Sequence, residues 1–368
     1  MNVTRPFITI TLLLICGFFL LATCVQQPTG GAGQLDESVP ALEVAKVAPP
    51  LSPKQKALET RLSEIGEGFA GEFGIGVVEV ASGAEMAFNG EALFPQQSVT
   101  KLWVALAALD RVDGGELDLA EPVTIRREDL TVFYQPVRNI VTVQGQYATD
   151  YRDLFERALT QSDNTANDRL LRRIGGPQSV EAFFQRKQIG GVRFGVDERT
   201  KQSAIAGLKW DQRYSVGNTF FDVRDDVPDV IRQSAFEGYL ADPVDGASAV
   251  GIAKALARLA RGELLKEGST QLILSTLENT KSGPQRLKGG VPSGWTIAHK
   301  TGTGQVYAGD HSGYNDVGVL TAPDGKRYAL AVLIGRTRTS YQARFEMMQS
   351  VTRAVVDYHE RVTAQNGV

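Results

Sequence analysis

Three short motifs stand in one order along the chain: Ser98-Val99-Thr100-Lys101, Ser162-Asp163-Asn164 and Lys300-Thr301-Gly302-Thr303. A serine three residues before a lysine means little by itself. On a helix, however, that spacing puts hydroxyl and amine on one face, where a lysine whose pKa is lowered by burial can take the serine proton. Ser98 follows Phe94-Pro95 and opens an apolar run through Leu102, Leu106 and Leu109. Its oxygen is therefore expected at a helix N-terminus, in a field that favours developing negative charge. Ser162 is then placed to relay a proton to a leaving nitrogen, and Asn164 to donate to a substrate carbonyl. Gly302 lets a substrate approach the backbone, and the Thr303 N–H can pair with that of Ser98 as an oxyanion hole. Lys300, Thr301 and Thr303 would face a substrate carboxylate. Each motif has a bland alternative: a capping serine with a surface lysine, a pair of helix caps, a surface turn. Their ordered occurrence favours the walls of one serine acyl-transfer pocket acting on a cyclic or D-configured amide.

The elements that must hold these residues can be read from periodicity. Leu58, Leu62, Ile65 and Phe69 recur at helical spacing. Gly74 to Val80 reads as a strand turning at Ser82-Gly83. Val317–Thr321 and Tyr328–Ile334 are apolar runs joined by Pro323-Asp324-Gly325, a hairpin signal. Phe345, Met348, Val351, Val355, Tyr358 and Val362 mark a closing helix behind a Thr339-Ser340 cap. Between the ends the chain reads as helical over 98–111, 151–160, 164–174, 178–187 and 248–261. The simplest architecture is α+β: an antiparallel sheet built from both termini and flanked by helices, an all-helical lobe inserted between, and a pocket where the two halves meet.

The 368 residues are 42% hydrophobic and 22% charged, ordinary for a globular chain with ample core. A net charge of −3 gives no basic footprint for nucleic acid. The N-terminus is distinct: Arg5 precedes an apolar run from Phe7 to Val25, followed by small residues at Ala22-Thr23 within its end. That pattern describes an export leader over 1–24, with an uncleaved anchor as the alternative because the run nearly reaches bilayer length. Leu21-Ala22-Thr23-Cys24 also resembles a bacterial lipobox, which would make Cys24 a lipidated tether to the membrane. Residues 25–51 are rich in Gln, Pro, Gly and Ala and read as a flexible linker to a single domain over 52–368, expected to be a periplasmic monomer. Both cysteines lie in the leader, so the domain has neither a disulfide nor a thiol nucleophile. His299, His311 and His359 show no ligand spacing, so neither a metal nor any other cofactor is expected.

From about residue 52 to 362 the chain resembles the class A β-lactamase family, including its penicillin-binding relatives. The resemblance rests on the triplet and on Phe94-Pro95-Gln96-Gln97-Ser98, Ser162-Asp163-Asn164-Thr165-Ala166-Asn167, Ile174-Gly175-Gly176-Pro177 and Pro292-Ser293-Gly294-Trp295. It implies a β-lactamase/transpeptidase-like fold and an acyl-enzyme on Ser98. Gly283 to Gly289 places Arg286 where an extended-spectrum subgroup of that family keeps an arginine near the substrate carboxylate, and Asn315-Asp316-Val317-Gly318 resembles that subgroup's next strand. Tyr134, two residues before Pro136, resembles its aromatic gatepost at the pocket mouth. The bland alternatives are a solvated Arg286 and a half-buried loop aromatic at Tyr134.

One departure bears on function. The family's Glu-x-x-Leu-Asn loop holds its deacylating water, and counting forward from Gly175-Gly176-Pro177 lands on Glu198-Arg199-Thr200-Lys201-Gln202. Glu198 takes the glutamate position, whereas Lys201 and Gln202 replace the Leu-Asn pair. Gln202 can still offer a carbonyl and an amide to a water. A salt-bridged surface Glu198 is the alternative. Residues 203–247 then form a connection far longer than the family pattern needs, carrying Trp210, Tyr214, Phe220, Phe221, Phe236 and Tyr239. The expected function is a β-lactamase-like serine hydrolase acting on a small-molecule β-lactam. A penicillin-binding D,D-peptidase acting on peptidoglycan peptide and a β-lactam sensor without turnover are the alternatives.

Overall fold

The computed structural model describes residues 50–364, so the expected leader and nearly all of the expected linker lie outside the described residues. Both ends of the described chain supply a five-stranded antiparallel sheet. Its order is Glu85–Phe88, Glu72–Glu79, Arg327–Arg336, Tyr314–Thr321 and, at the edge, Thr296–Thr303. Because alternate side chains of a strand point to opposite faces, each strand serves two cores at once. Ile75, Val77, Leu330, Val332 and Ile334 pack under the helices Pro53–Glu67 and Tyr341–Ala364. Val78, Val80, Ala329, Ala331 and Leu333 face the helical lobe.

The terminal helices start where their caps dictate. Ser52 and Gln55 form a reciprocal capping box ahead of Pro53, and the Ser340 hydroxyl accepts the Ala343 N–H at 3.2 Å. The first helix stops at Glu67, capped by Gly68, which leaves Phe69 outside the expected helical stripe. Phe69 packs edge-on against Phe73 instead, with ring centroids 5.1 Å apart.

The lobe is organised around the helix Thr100–Asp113, buried at every position from Thr100 to Leu109. A helix apolar on all sides has to be an interior element, and its neighbours surround it: Asn164–Arg173, Pro177–Lys187, Ala249–Ala260 and Glu267–Glu278. The helix expected over 151–160 is α-helical only through Glu156. It then widens into a π-helical turn, Arg157–Gln161, that ends at Ser162 with φ 60°. Widening absorbs residues and swings Ser162 out of the helix, toward the edge strand. The segment 203–247 is also structured. Thr219–Asp225 and Asp229–Ala241 are helices, and Phe220 packs against Phe133 and Tyr214 at 4.9 and 5.7 Å.

The helix Ala249–Ala260 lies on the sheet at Gly76, where a Cβ would come within 2.5 Å of the Ala249 carbonyl oxygen. Backbone on both sides leaves no flexible atom to yield. Gly76→Ala is therefore expected to destabilise the fold by about 1–3 kcal/mol, the usual cost of overpacking. Thermal unfolding checks this, and an unchanged Tm would mean that the helix retreats from the sheet without cost.

Candidate active site

The turn that carries Ser98 is held from three sides. Gln96 donates through Nε2 to the carbonyls of Arg193 and Asp245, each at 2.8 Å, and its Oε1 accepts the Trp103 indole N–H at 2.6 Å. Asn315 Nδ2 donates to the carbonyls of Pro95 and Gln96 at 2.7 and 3.0 Å. Gln97, with φ 54°, takes a left-handed conformation that costs a non-glycine residue free energy. Its N–H is anchored on Asp245 Oδ2 at 2.9 Å. The result is a single 3-10 turn, Gln97–Val99, so the α-helix expected from residue 98 starts at Thr100.

Lys101 follows one turn later with Nζ 2.7 Å from Ser98 Oγ. Burial drives its pKa below the ordinary lysine value against the opposing pull of Glu198, and the charge of Lys201 adds to the depression. The lowered pKa makes the neutral amine, the form able to accept the hydroxyl proton, easier to reach. From the opposite wall, Lys300 Nζ donates to Ser162 Oγ and to the Thr301 carbonyl, both at 2.9 Å. Burial, then the charges of Lys101 and Arg286, push the Lys300 pKa well down. Gly302 brings the edge strand against the Ser98 turn: a Cβ there would overlap the Gln96 carbonyl oxygen and lie 3.3 Å from Ser98 N.

Glu198 is 4% exposed, which excludes the surface alternative. It opens the helix Glu198–Ile205, with Oε2 3.8 Å from Lys101 Nζ and 3.2 Å from Lys201 Nζ. Burial alone would raise its pKa, but the two ammonium groups and the Gln202 amide outweigh it and bring it down to about 2. Beside it Asp168 accepts the Glu198 N–H at 3.3 Å, while its Oδ2 accepts no hydrogen bond. Burial, then the charges of Asp197 and Glu198, lift the Asp168 pKa to about 6.

One expectation needs correction. Gln202 has no amide hydrogen left for a water, because Nε2 donates to Gln97 Oε1 at 2.8 Å and to Glu198 Oε1 at 2.9 Å, and its own Oε1 accepts from Gln305. It brackets the carboxylate instead. Asn164 spends one amide hydrogen on the Val132 carbonyl at 2.8 Å, which leaves one for a ligand. Arg286 is 6% exposed rather than solvated. It donates to the carbonyls of Gly302 and Asn315 at 2.9 and 2.7 Å and to Thr303 Oγ1 at 2.6 Å, with its guanidinium 3.7 Å from the centre of the Tyr314 ring.

These groups converge on one cavity of about 700 Å³ where sheet and lobe meet. Ser98, Ser162, Asn164, Glu198, Arg286, Thr301 and Thr303 line it, with Lys101 and Lys300 buried behind them. Tyr134 also lines it and is 61% exposed. Phe221 and Arg224 of the inserted segment add an aromatic and a cationic wall, the guanidinium 5.0 Å above the ring. The aromatic content of this segment already points, in the sequence, to a wall of the pocket, and Phe221 supplies one. The buried partners Asp168 and Asp245 left no spacing signal, since they come from elements distant in sequence.

Fold and site together define a β-lactamase-like serine hydrolase. A model of the β-lactamase enzyme family matches residues 57–359, and the chain belongs to that family. Among similar proteins, the extended-spectrum β-lactamase PER-1 of Pseudomonas aeruginosa is 27% identical over 267 residues, covering 72% of this chain and 75% of its own. The β-lactamase FAR-1 of Nocardia farcinica is 28% identical over 291 residues, 78% of each. An ancestral class A β-lactamase structure superposes with a TM-score of 0.63 at 28% identity, covering 82% of this chain and 99% of its own. The fold alone is also shared with the extended-spectrum β-lactamase TLA-1, with a TM-score of 0.69 at 21% identity over 83% and 99% of the two chains.

The raised Asp168 pKa has a stability consequence of definite sign. A carboxyl that binds its proton more tightly when folded stabilises the fold below its unfolded pKa of 3.8, and that contribution is lost as pH rises through about 6. Asp168→Asn keeps the Oδ1 acceptor and removes the charge. It is expected to raise stability by roughly 1–3 kcal/mol at pH 8 and by little at pH 4. Thermal melts at the two pH values check this, and equal shifts at both would show that the effect is not one of charge.

Proposed function

We propose that this hydrolase opens the β-lactam ring through an ester on Ser98 and releases the product with Glu198 as the base. Ser98 Oγ attacks the ring carbonyl and its proton passes to Lys101 Nζ. The ring C–N bond breaks, and the nitrogen takes a proton through Ser162, whose oxygen already sits on Lys300 Nζ at 2.9 Å. Water then attacks the ester carbonyl and gives its proton to Glu198, and Ser98 leaves with its own proton restored. Arg286, through Thr303, and Lys300 with Thr301 supply the positive end for the substrate carboxylate. Asn164 and Tyr134 flank the remainder of the substrate.

The observation that carries this reading is the placement of Glu198. Acylation needs only the serine and its lysine, whereas turnover also needs a base for water. Here an ionised carboxylate on the cavity wall stands 3.8 Å from the lysine that serves the nucleophile. The proposal extends to export: the run from Phe7 to Val25 and the motif ending at Cys24 support a leader that is cleaved or lipidated, delivering the enzyme to the bacterial periplasm.

A chromogenic cephalosporin and intact-mass measurement test the chemistry. The protein is expected to turn over many equivalents, and Ser98→Ala to form no covalent adduct. Glu198→Gln should acylate and then stall, with a long-lived adduct on Ser98 and turnover reduced by roughly 10²–10⁴, the usual contribution of a positioned base. A long-lived adduct on the unmutated protein would instead indicate a penicillin-binding enzyme or sensor. An adduct on Ser98→Ala protein would remove the nucleophile assignment.

A further inference from the structure

Lys201 is a buried charge for which the steps above have no use. The family pattern that this chain resembles puts leucine at that position, and a lysine there needs a reason, because an ammonium group in a dry interior is costly unless fully paired. Lys201 is 2% exposed. Its Nζ lies 3.2 Å from Glu198 Oε2, 3.0 Å from Asp245 Oδ2 and 3.3 Å from the Gln97 carbonyl oxygen. An ammonium has three hydrogens, and here each has an acceptor.

Those acceptors belong to the three parts of the site that must keep register. Glu198 is the carboxylate on the cavity wall, and Gln97 is the strained residue that delivers Ser98. Asp245 comes from the far end of the inserted segment and also accepts the Gln97 N–H, as well as the Tyr239 hydroxyl at 2.9 Å. Lys201 engages Oε2 of Glu198 while Gln202 donates to Oε1 at 2.9 Å, so the carboxylate is fixed at both oxygens. Lys201 also divides the work between two lysines. With Lys201 neutralising the acids, Lys101 stays at 2.7 Å from Ser98 Oγ and at the longer 3.8 Å from Glu198.

We propose that Lys201 is a positioning residue for deacylation: its ammonium fixes the Glu198 carboxylate and ties it to the peptide that precedes the nucleophile. This rests on Glu198 as the hydrolytic base. The titratable groups around Glu198 are Lys101 from the Ser98 helix, Asp168 from the Asn164 helix with Asp197 beside it, Lys300 from the edge strand, Lys201 from its own helix, and Tyr239 and Asp245 beyond Lys201. Removing the Lys201 charge takes away the nearer of the two cations on the carboxylate. Proton uptake by Glu198 then becomes easier, and the acid limb of kcat moves to higher pH.

The test measures kcat against pH, the adduct formation rate and the adduct lifetime for Lys201→Met with a chromogenic cephalosporin. Expected are an adduct that accumulates during turnover, a fall in kcat of roughly tenfold or more, and an acid limb displaced upward by about one pH unit or more, with adduct formation affected less. A residue that only supports the fold would lower Tm and the fraction of active protein without moving the limb. Where Lys201→Met fails to fold for want of a partner to Asp245, the double variant Lys201→Met/Asp245→Asn removes both charges and is expected to shift the limb in the same direction. A limb and kcat equal to those of the unmutated protein in the folded variant overturn the proposal. Glu198→Gln separates the two levels. If it stalls as an adduct while Lys201→Met behaves normally, only the role of Lys201 falls; if it turns over normally, the base assignment falls and this inference with it.

Discussion

Glu198 keeps its charge inside the protein because two ammonium groups share it, and the arrangement of the whole pocket follows from that. Removing one partner of a buried ion pair typically costs about 3–5 kcal/mol, since the other is left charged and unsolvated. Here the groups are linked in series: Asp245 to Lys201, Lys201 to Glu198, Glu198 to Lys101, Lys101 to Ser98. The series runs through the helix that carries the nucleophile, the helix that carries Glu198 and the end of the inserted segment. None of these can shift alone without stranding a charge. That is a stiffer constraint than apolar packing, which tolerates small slides.

The strain at the site is supported by the same means. Gln97 at φ 54° and Ser162 at φ 60° are both left-handed and both adjoin or supply a reacting group. Each is fixed by hydrogen bonds from other parts of the chain, Gln97 by Asp245, Gln202, Tyr239 and the Ser312 carbonyl, Ser162 by Lys300. Strained backbone persists where its surroundings over-determine it, and the hydroxyl groups are thereby aimed before any substrate arrives.

Much of this was legible in the sequence, for a definable reason. The triplet Ser98-Lys101, Ser162-Asn164 and Lys300-Thr303 is local in each part, because a helical turn, a cap and a strand fix neighbouring residues at fixed spacing. The hairpin at Pro323-Asp324-Gly325 and the alternating strands are local for the same reason, and the structure has them at Tyr314–Thr321 and Arg327–Arg336. What could not be read was long-range charge pairing. Lys201 looked like a mere replacement of leucine because its partner Asp245 stands 44 residues away. The bracket role of Gln202 depends on Gln97 and Gln305, each more than a hundred positions distant. The π-helical turn before Ser162 was not read from the sequence either; it delivers Ser162 to Lys300 of another element.

The position of Thr296–Thr303 at the end of the strand order has a consequence for how the protein survives at high concentration. An outer strand offers unpaired backbone to any passing chain and is the usual starting point of strand-by-strand association. This one is partly blunted: Thr280 donates to the His299 carbonyl at 2.7 Å, and Lys300 turns back on that of Thr301. Lys300, which belongs to the site, therefore also acts as a gatekeeper against self-assembly. Losing Thr280 would expose a sticky rim, and the damage would be seen in poor solubility and yield.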